Sequence, residues 1–198
     1  MEQIFSFDPE KHEYRLSGNV IPSVTQVIKS CGLIRFDDVP PETLIHKAKI
    51  GKAVHLACEY YDKGILDEVP DSYAGYVQAY EVFRRTAYSS SYWRYIEAPM
   101  YGNCNGMTYG MTADRIGYIN GENWILELKT SQQEEAAWRI QLMAYAAGRG
   151  MLGYKRKALQ LKPDGTFRLY SYNDPKDFAI WSAALALTQW KLNNGVKI

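Results

Sequence analysis

The sequence predicts an α/β protein: a central mixed β-sheet with helices before and after it. Three observations predict this. Strand signals run almost without a break from Tyr92 to Lys129, through "YWRYIEAPMYG", "MTADRIGYI" and "NWILELKT". Helical patterns precede and follow that block, and a later strand pair lies between two more helical segments, as a layered α/β architecture requires. Finally, 198 residues that are 46% hydrophobic and 23% charged supply one sizeable core and would be stretched over two. With no repeat, low-complexity segment or linker, residues 1–198 read as a single domain.

In chain order, "IFSFDPEKHEYRLSGNVI" predicts two short strands around a turn. "IPSVTQVIKSCG" predicts a helix start: Ser23 stands at the N-cap, Gln26 completes a capping box, and Gly32 ends the turn. From Pro41 to about Gly64 the periodicity is helical, with Pro at its opening and Gly at its close. A further helix covers Asp71 to Arg85. After the strand block, "EEAAWRIQLMAYAAGRG" is strongly helical. "YKRKALQL", the turn "KPDGT" and "FRLYSYN" then form a hairpin, and "PKDFAIWSAALALTQWKLNNG" closes the chain as a helix.

Composition argues against several function classes. No apolar run approaches membrane-spanning length, and "MEQIFSFDPEKHEY" lacks the basic and apolar regions of an export signal. A cytoplasmic protein without a membrane partner is therefore expected. Cys31, Cys58 and Cys104 are widely spaced with no Cys-x-x-Cys pair, which argues against a disulfide framework, a zinc ribbon or an iron–sulfur cluster. No Gly-x-x-x-x-Gly-Lys-Ser/Thr phosphate loop is present, so the chain has no P-loop motor of its own. Net charge is +1 but uneven: residues 1–132 carry 13 Lys and Arg against 17 Asp and Glu, residues 133–198 carry 10 against 5. The basic C-terminal third suits a polyanion, or equally an ordinary solvated surface.

The charges in "WILELKTS", residues 124–131, raise the chemical question, because an otherwise apolar strand keeps Glu127 and Lys129. Asn120-Gly121 just upstream is the strongest two-residue type I′ hairpin signal. With that pair as the loop, Ile119 faces Glu122, Gly117 faces Trp124, Ile116 faces Ile125 and Asp114 faces Glu127, with Lys129 on the same side of the sheet. A slip of one residue would send Asp114 and Glu127 to opposite faces. Two carboxylates about 5 Å apart repel unless a proton or cation intervenes. Lys129 can neutralise one of them in a purely structural triad. A divalent metal would neutralise both, and two carboxylates completed by water suit Mg²⁺ in phosphoryl chemistry.

Asp114 followed by Glu127-x-Lys129 on a neighbouring strand resembles the core of the PD-(D/E)xK nuclease superfamily. "GKAVH", Gly51 to His55, resembles the Gly-x-x-x-His motif of its RecB-like exonuclease branch, and "QLMAY", Gln141 to Tyr145, that branch's Gln-x-x-x-Tyr motif. All occur in the branch's order, and "HEYRLSGNVIPSVTQVI" resembles the opening of phage-type members, so the resemblance spans nearly the whole chain. Ala113 stands where the superfamily name has Pro. Taken singly, His55 reads as a packing residue and Gln141/Tyr145 as one face of an ordinary helix. Their combination is what is specific.

The resemblance implies a restriction-endonuclease-like core and a metal-dependent DNA exonuclease of phage or prophage type, serving recombination or repair. It implies His55, Asp114, Glu127 and the Leu128 carbonyl as ligands of one or two Mg²⁺ or Mn²⁺ ions, without an iron–sulfur cluster. It further implies Lys129 as the group that orients the attacking water, with Gln141 and Tyr145 positioning it. An imidazole ligand favours Mn²⁺ at least as much as Mg²⁺, with Ca²⁺ binding without turnover. Ser23 and Thr25 at a helix start are candidates for holding a terminal 5′-phosphate, though by themselves they read first as a plain helix cap. Lys52, Arg139 and the "YKRK" segment are candidates for DNA backbone contacts. The implied partner is DNA with a free end, and family companions include a single-strand annealing protein, a helicase or further copies in a toroidal homo-oligomer. The same residues also admit an endonuclease, a catalytically silent DNA-binding module, or a structural protein with a buried ion network.

Overall fold

A computed structural model describes residues 3–34, 40–85 and 90–198. Its elements run β1 (Phe5–Asp8), β2 (Glu13–Leu16), β3 (Asn19–Ile21), α1 (Val24–Ser30), α2 (Pro41–Lys63), α3 (Asp71–Arg85), β4 (Ser91–Cys104), β5 (Met107–Ile119), β6 (Glu122–Lys129), α4 (Ala137–Gly148), β7 (Lys155–Leu161), β8 (Phe167–Tyr172) and α5 (Lys176–Asn193). Strands β4-β5-β6-β7-β8 form one sheet in that order, antiparallel except where β6 meets β7. A parallel neighbour needs a crossover, and α4 provides it. The α/β class with a flanked mixed sheet is thus observed.

The signals that set these elements are visible as geometry. Ser23 Oγ accepts the Gln26 N–H at 3.1 Å while Gln26 Oε1 accepts the Ser23 N–H at 2.8 Å, the predicted reciprocal cap. Gly64 stops α2 in a left-handed conformation, with φ +68°. Asn120 and Gly121 take φ +47° and +90°, as a type I′ loop demands.

Alternation along β6 sorts the side chains into two cores. Ile125 packs with Val27, Leu142 and Trp181 of α1, α4 and α5, whereas Trp124, Leu126 and Leu128 pack with Val54, Cys58, Tyr80 and Phe83 of α2 and α3. Glu127 and Lys129 share the Ile125 side and therefore project toward α4.

The N-terminal stretch differs from expectation. It forms three strands, not two, as a separate sheet of order β1-β2-β3, because Ser17 and Gly18 at φ +49° and +84° make a second tight turn. β3 is only three residues long, too short to show a period in the sequence. This small sheet docks on β5: the Gly110 N–H donates to the Pro22 carbonyl at 2.9 Å, and a Cβ at Gly110 would lie 2.0 Å from Tyr14 Cγ. Glycine is what permits that approach.

Candidate active site

The β5–β6 register is the predicted one, from Ile119–Glu122 through Gly117–Trp124 and Ile116–Ile125 to Arg115–Leu126. There the backbone ladder stops, and the Asp114 carboxylate takes over the bonding. Its Oδ2 accepts the Leu128 N–H at 2.6 Å. On the other side of β5, the pairs Ile96–Arg115 and Ala98–Ala113 set Glu97 opposite Asp114, and Glu97 has a left-handed φ of +45°. Both neighbouring ladders are therefore interrupted at Asp114, which frees its carboxylate to be reached from more than one layer.

Helix α2 brings His55 to this gap. His55 Nδ1 lies 3.3 Å from Asp114 Oδ1 and 3.6 Å from Glu97 Oε1. One ligand atom from each of His55, Glu97 and Asp114 falls within 4.8 Å of the others, close enough to share one ion. Sequence reading missed Glu97. Its signal was the same one that drew attention to Glu127, a lone carboxylate in an apolar and aromatic strand. A bulge between Trp93 and Tyr95 shifts the β4 register, so the sequence alone does not tell which residue Glu97 faces.

Glu127, Lys129, Gln141 and Tyr145 form one chain of hydrogen bonds. Lys129 Nζ donates to Gln141 Oε1 at 2.8 Å and lies 3.3 Å from Glu127 Oε1. Gln141 Nε2 donates to Glu127 Oε1 at 2.6 Å and approaches the Tyr145 hydroxyl at 2.7 Å. The four-residue spacing on α4 puts both residues on one helical face, and Trp138 on the preceding turn presents its ring 5.8 Å from Lys129 Nζ. Glu127 Oε2 is buried and has no hydrogen-bond partner among the described residues.

The electrostatics follow from three carboxylates in a confined space. Burial raises the Glu127 pKa, and the Asp114 charge adds to it against the opposing pull of Lys129, pushing it up to about 8. Burial would lower His55, but Asp114 and Glu97 outweigh it and raise the imidazole to about 10. Glu97 is raised by burial and by Asp114, with His55 and Arg115 pulling the other way. For Asp114 burial is outweighed by His55, Lys129 and the Leu128 N–H, and its pKa is lowered. At an effective dielectric near 20, two like charges 4 Å apart repel by about 4 kcal/mol, so the cluster holds together only with cations or protons inside it.

A cavity of about 180 Å³ opens onto this cluster, and Asp114, Glu127, Gln141, His12, Tyr14, Ser23 and Thr25 are among its lining. Ser23 and Thr25 thus share a cavity with the carboxylates, although the Ser23 hydroxyl is engaged in its cap. Lys52 is exposed, near enough to His12 to depress its pKa along with burial. Arg139 is not brought into the cluster. Its guanidinium bonds Asp177 Oδ1 at 2.6 Å and Asp174 Oδ2 at 2.9 Å, which ties α4 to α5. Within "YKRK", Arg156 is buried against Asp177 at 2.7 Å. The Leu128 side chain lies in the α2/α3 core.

No family model matches the chain, and no curated protein matches it. A solved structure from Eubacterium rectale described as "Putative exonuclease" is similar, with TM-score 0.51 and 15% identity over 87% of this chain and 74% of that one. The crystal structure of SSO0001 aligns over 84% of this chain and 83% of that one, at 17% identity and TM-score 0.39. Among the described residues no helix is long and apolar enough to cross a membrane. The similarity to the Eubacterium rectale protein is one of fold alone.

Proposed function

We propose that this chain is a metal-dependent deoxyribonuclease, a single domain over residues 1–198, that hydrolyses phosphodiester bonds from a free DNA end. The observation that carries this reading is Glu127 Oε2, a buried carboxylate oxygen without a hydrogen-bond partner among the described residues, beside a second carboxylate. Leaving such an atom unsatisfied costs about 1–3 kcal/mol, and more when it is charged. The arrangement is one that favours a cation in the gap. The donor set fits a small divalent ion, since carboxylate oxygens suit Mg²⁺ and the imidazole adds affinity for Mn²⁺. His55, Glu97, Asp114 and Glu127 would hold it, together with the Leu128 carbonyl that the superfamily resemblance implies. When bound, the ion supplies a water of lowered pKa and offsets charge on the phosphate.

The remaining work falls to the chain's own groups. Lys129 would orient the attacking water and donate to the phosphoryl oxygens as negative charge builds. Gln141 grips both Lys129 and Glu127, one through each end of its amide, and Tyr145 steadies that amide. Such positioning matters because a misplacement of about 1 Å can cost about 100-fold in rate. Ser23 and Thr25, which line the cavity, and Lys52, whose charge reaches the cavity residue His12, would meet the terminal nucleotide and its phosphates. A phage or prophage role in recombination or repair, with an annealing protein, a helicase or further copies of the chain as companions, follows from the sequence resemblance.

The test is to incubate wild-type protein and Glu127→Ala with linear duplex, single-stranded and covalently closed circular DNA, in Mn²⁺, Mg²⁺, Ca²⁺ or EDTA. Loss of linear DNA alone is expected in Mn²⁺ or Mg²⁺, with none in Ca²⁺ or EDTA and none with the variant. Cleavage of the closed circle would make the protein an endonuclease with the same site. DNA binding without turnover in any metal would make it a silent binding module.

A further inference from the structure

Asp114 is followed by an arginine with no exposed surface, and it sits outside the hydrogen-bond chain described above. We propose that Arg115 is a positioning residue for the metal site: its guanidinium holds Glu97 in its ligand pose and is itself locked by Asp62 of α2. The proposal rests on the metal-binding part of the nuclease reading.

The geometry is that of a rigid plate gripped at two edges. Arg115 Nε donates to Asp62 Oδ2 at 2.6 Å. Its Nη1 donates to Glu97 Oε1 at 3.2 Å and to the Asp114 backbone carbonyl at 2.7 Å. The guanidinium is planar, so fixing one edge fixes the direction of the other. Asp62 is itself immobilised. Tyr80 donates to Oδ2 at 2.6 Å, Trp93 Nε1 donates to Oδ1 at 3.2 Å, and Arg84 Nε lies 3.1 Å from Oδ1.

Two further features point toward Glu97 as what the plate is for. A buried arginine is costly to desolvate, and a pair with Asp62 alone would satisfy its charge without any reach to β4. Glu97 occupies a left-handed backbone conformation that a non-glycine residue holds only at a cost, so something must keep it there. Helix α2 also carries both ends of the device. His55 and Asp62 lie about two turns apart and so fall on one stripe of the helix. The same helix therefore delivers a ligand to the metal gap and the anchor that aims the ligand opposite it.

Arg115 acts through Glu97, so a double-variant cycle tests it. Mn²⁺ binding to metal-free protein is measured calorimetrically for wild type, Arg115→Lys, Glu97→Gln and the double variant, with folding checked by circular dichroism and thermal melting. Lysine keeps the charge but offers a single point of contact and does not bridge Asp62 to Glu97. Arg115→Lys is expected to weaken Mn²⁺ binding about 10-fold, and the double variant to bind no more weakly than Glu97→Gln alone. Wild-type affinity in Arg115→Lys, or the same loss with and without Glu97, would overturn the proposal. Should Arg115→Lys fail to fold, Asp62→Asn takes its place in the same cycle, with a loss of several-fold that vanishes in the Glu97→Gln background. Wild-type protein that binds Mn²⁺ yet cuts no DNA would remove the nuclease reading and leave this one to the cycle. Wild-type protein that binds no Mn²⁺ removes this one.

Discussion

Two charge networks with buried members stand out among the described residues, and they differ in one respect that matters. Between α4, β7 and α5, Asp177 and Asp174 meet Arg139 and Arg156, two acids against two bases. Asp177 accepts from Arg139 Nε at 2.6 Å and from Arg156 Nη1 at 2.7 Å, and Arg156 Nη2 reaches the Asp174 carbonyl at 3.2 Å. At the β4–β5–β6 junction, the cations facing Glu97, Asp114 and Glu127 among the described residues are Lys129, a histidine whose pKa is raised to about 10, and an arginine that also bonds Asp62. One carboxylate oxygen there is left over. Burial of charge is common to both networks and so marks neither as functional. What separates them is that the second leaves one buried carboxylate oxygen without a hydrogen-bond partner among the described residues and pushes the Glu127 pKa up to about 8, whereas in the first both carboxylates bond an arginine.

The largest expected effects break the two networks in opposite ways. Asp114→Asn or Glu127→Ala should lower DNA turnover by at least 1,000-fold, about 4 kcal/mol of activation free energy. Metal-free Glu127→Ala should melt no lower than wild type, because it removes a carboxyl whose charged form is disfavoured in the fold, whereas Asp114→Asn should melt lower, because the Asp114 charge is held by His55, Lys129 and the Leu128 N–H. Asp177→Ala should do the reverse of Glu127→Ala. It strands two arginines, one of them buried, and should cost about 3–5 kcal/mol of stability, with turnover per folded molecule unchanged. Gel assays beside urea melts check all three. A catalytic loss in Asp177→Ala without a stability loss would erase the distinction.

Ligand-linked stability sharpens the comparison next. Mn²⁺ at 100 times its dissociation constant should stabilise wild-type protein by about 2.7 kcal/mol. A less drastic change in the balanced network, Asp174→Asn, should leave that gain intact, and Glu127→Ala should shrink it. Thermal melts with and without Mn²⁺ read the difference; equal gains in wild type and Glu127→Ala would place the ion elsewhere.

The contrast also explains what the sequence could disclose. The hairpin of the candidate site was legible because a two-residue loop fixes register, and register alone carries Asp114 and Glu127 to adjoining positions. Gln141 and Tyr145 were legible because four-residue spacing fixes a helical face. Glu97 was not, since its place depends on a bulge and on a left-handed turn of backbone that its neighbours impose. Arg139 looked like a surface cation for DNA because its acids, Asp174 and Asp177, lie more than thirty residues downstream and meet it only when α5 packs on α4. Arg115 read simply as a strand residue until Asp62, on a helix 53 residues away, gave its charge a partner. Local geometry can be read from spacing, whereas charge balance is a tertiary quantity.

The last expected effect is a pH dependence spread over several pH units, and its sign follows from the raised pKa values of Glu127 and His55. Glu127 is raised to about 8 from an ordinary value near 4.5, and His55 to about 10 from 6.5. In both cases the folded, metal-free protein holds its proton more tightly than the unfolded chain. Its stability should therefore fall as pH rises, through Glu127 between about 4.5 and 8 and through His55 between about 6.5 and 10, by at most about 1.4 kcal/mol per pH unit per proton. Asp114, whose pKa is lowered, acts in the opposite sense but only in acid, below its ordinary value. Glu127→Gln should flatten the slope below pH 8 and leave the His55 part above it. A cation entering the gap must expel these same protons, so Mn²⁺ should bind about 10-fold more tightly for each pH unit and each proton released. Calorimetry at pH 7 in two buffers of different ionisation enthalpy counts those protons directly. A count of zero would mean that the cluster is already deprotonated, and that the Lys129 and Arg115 charges balance it without help from His55.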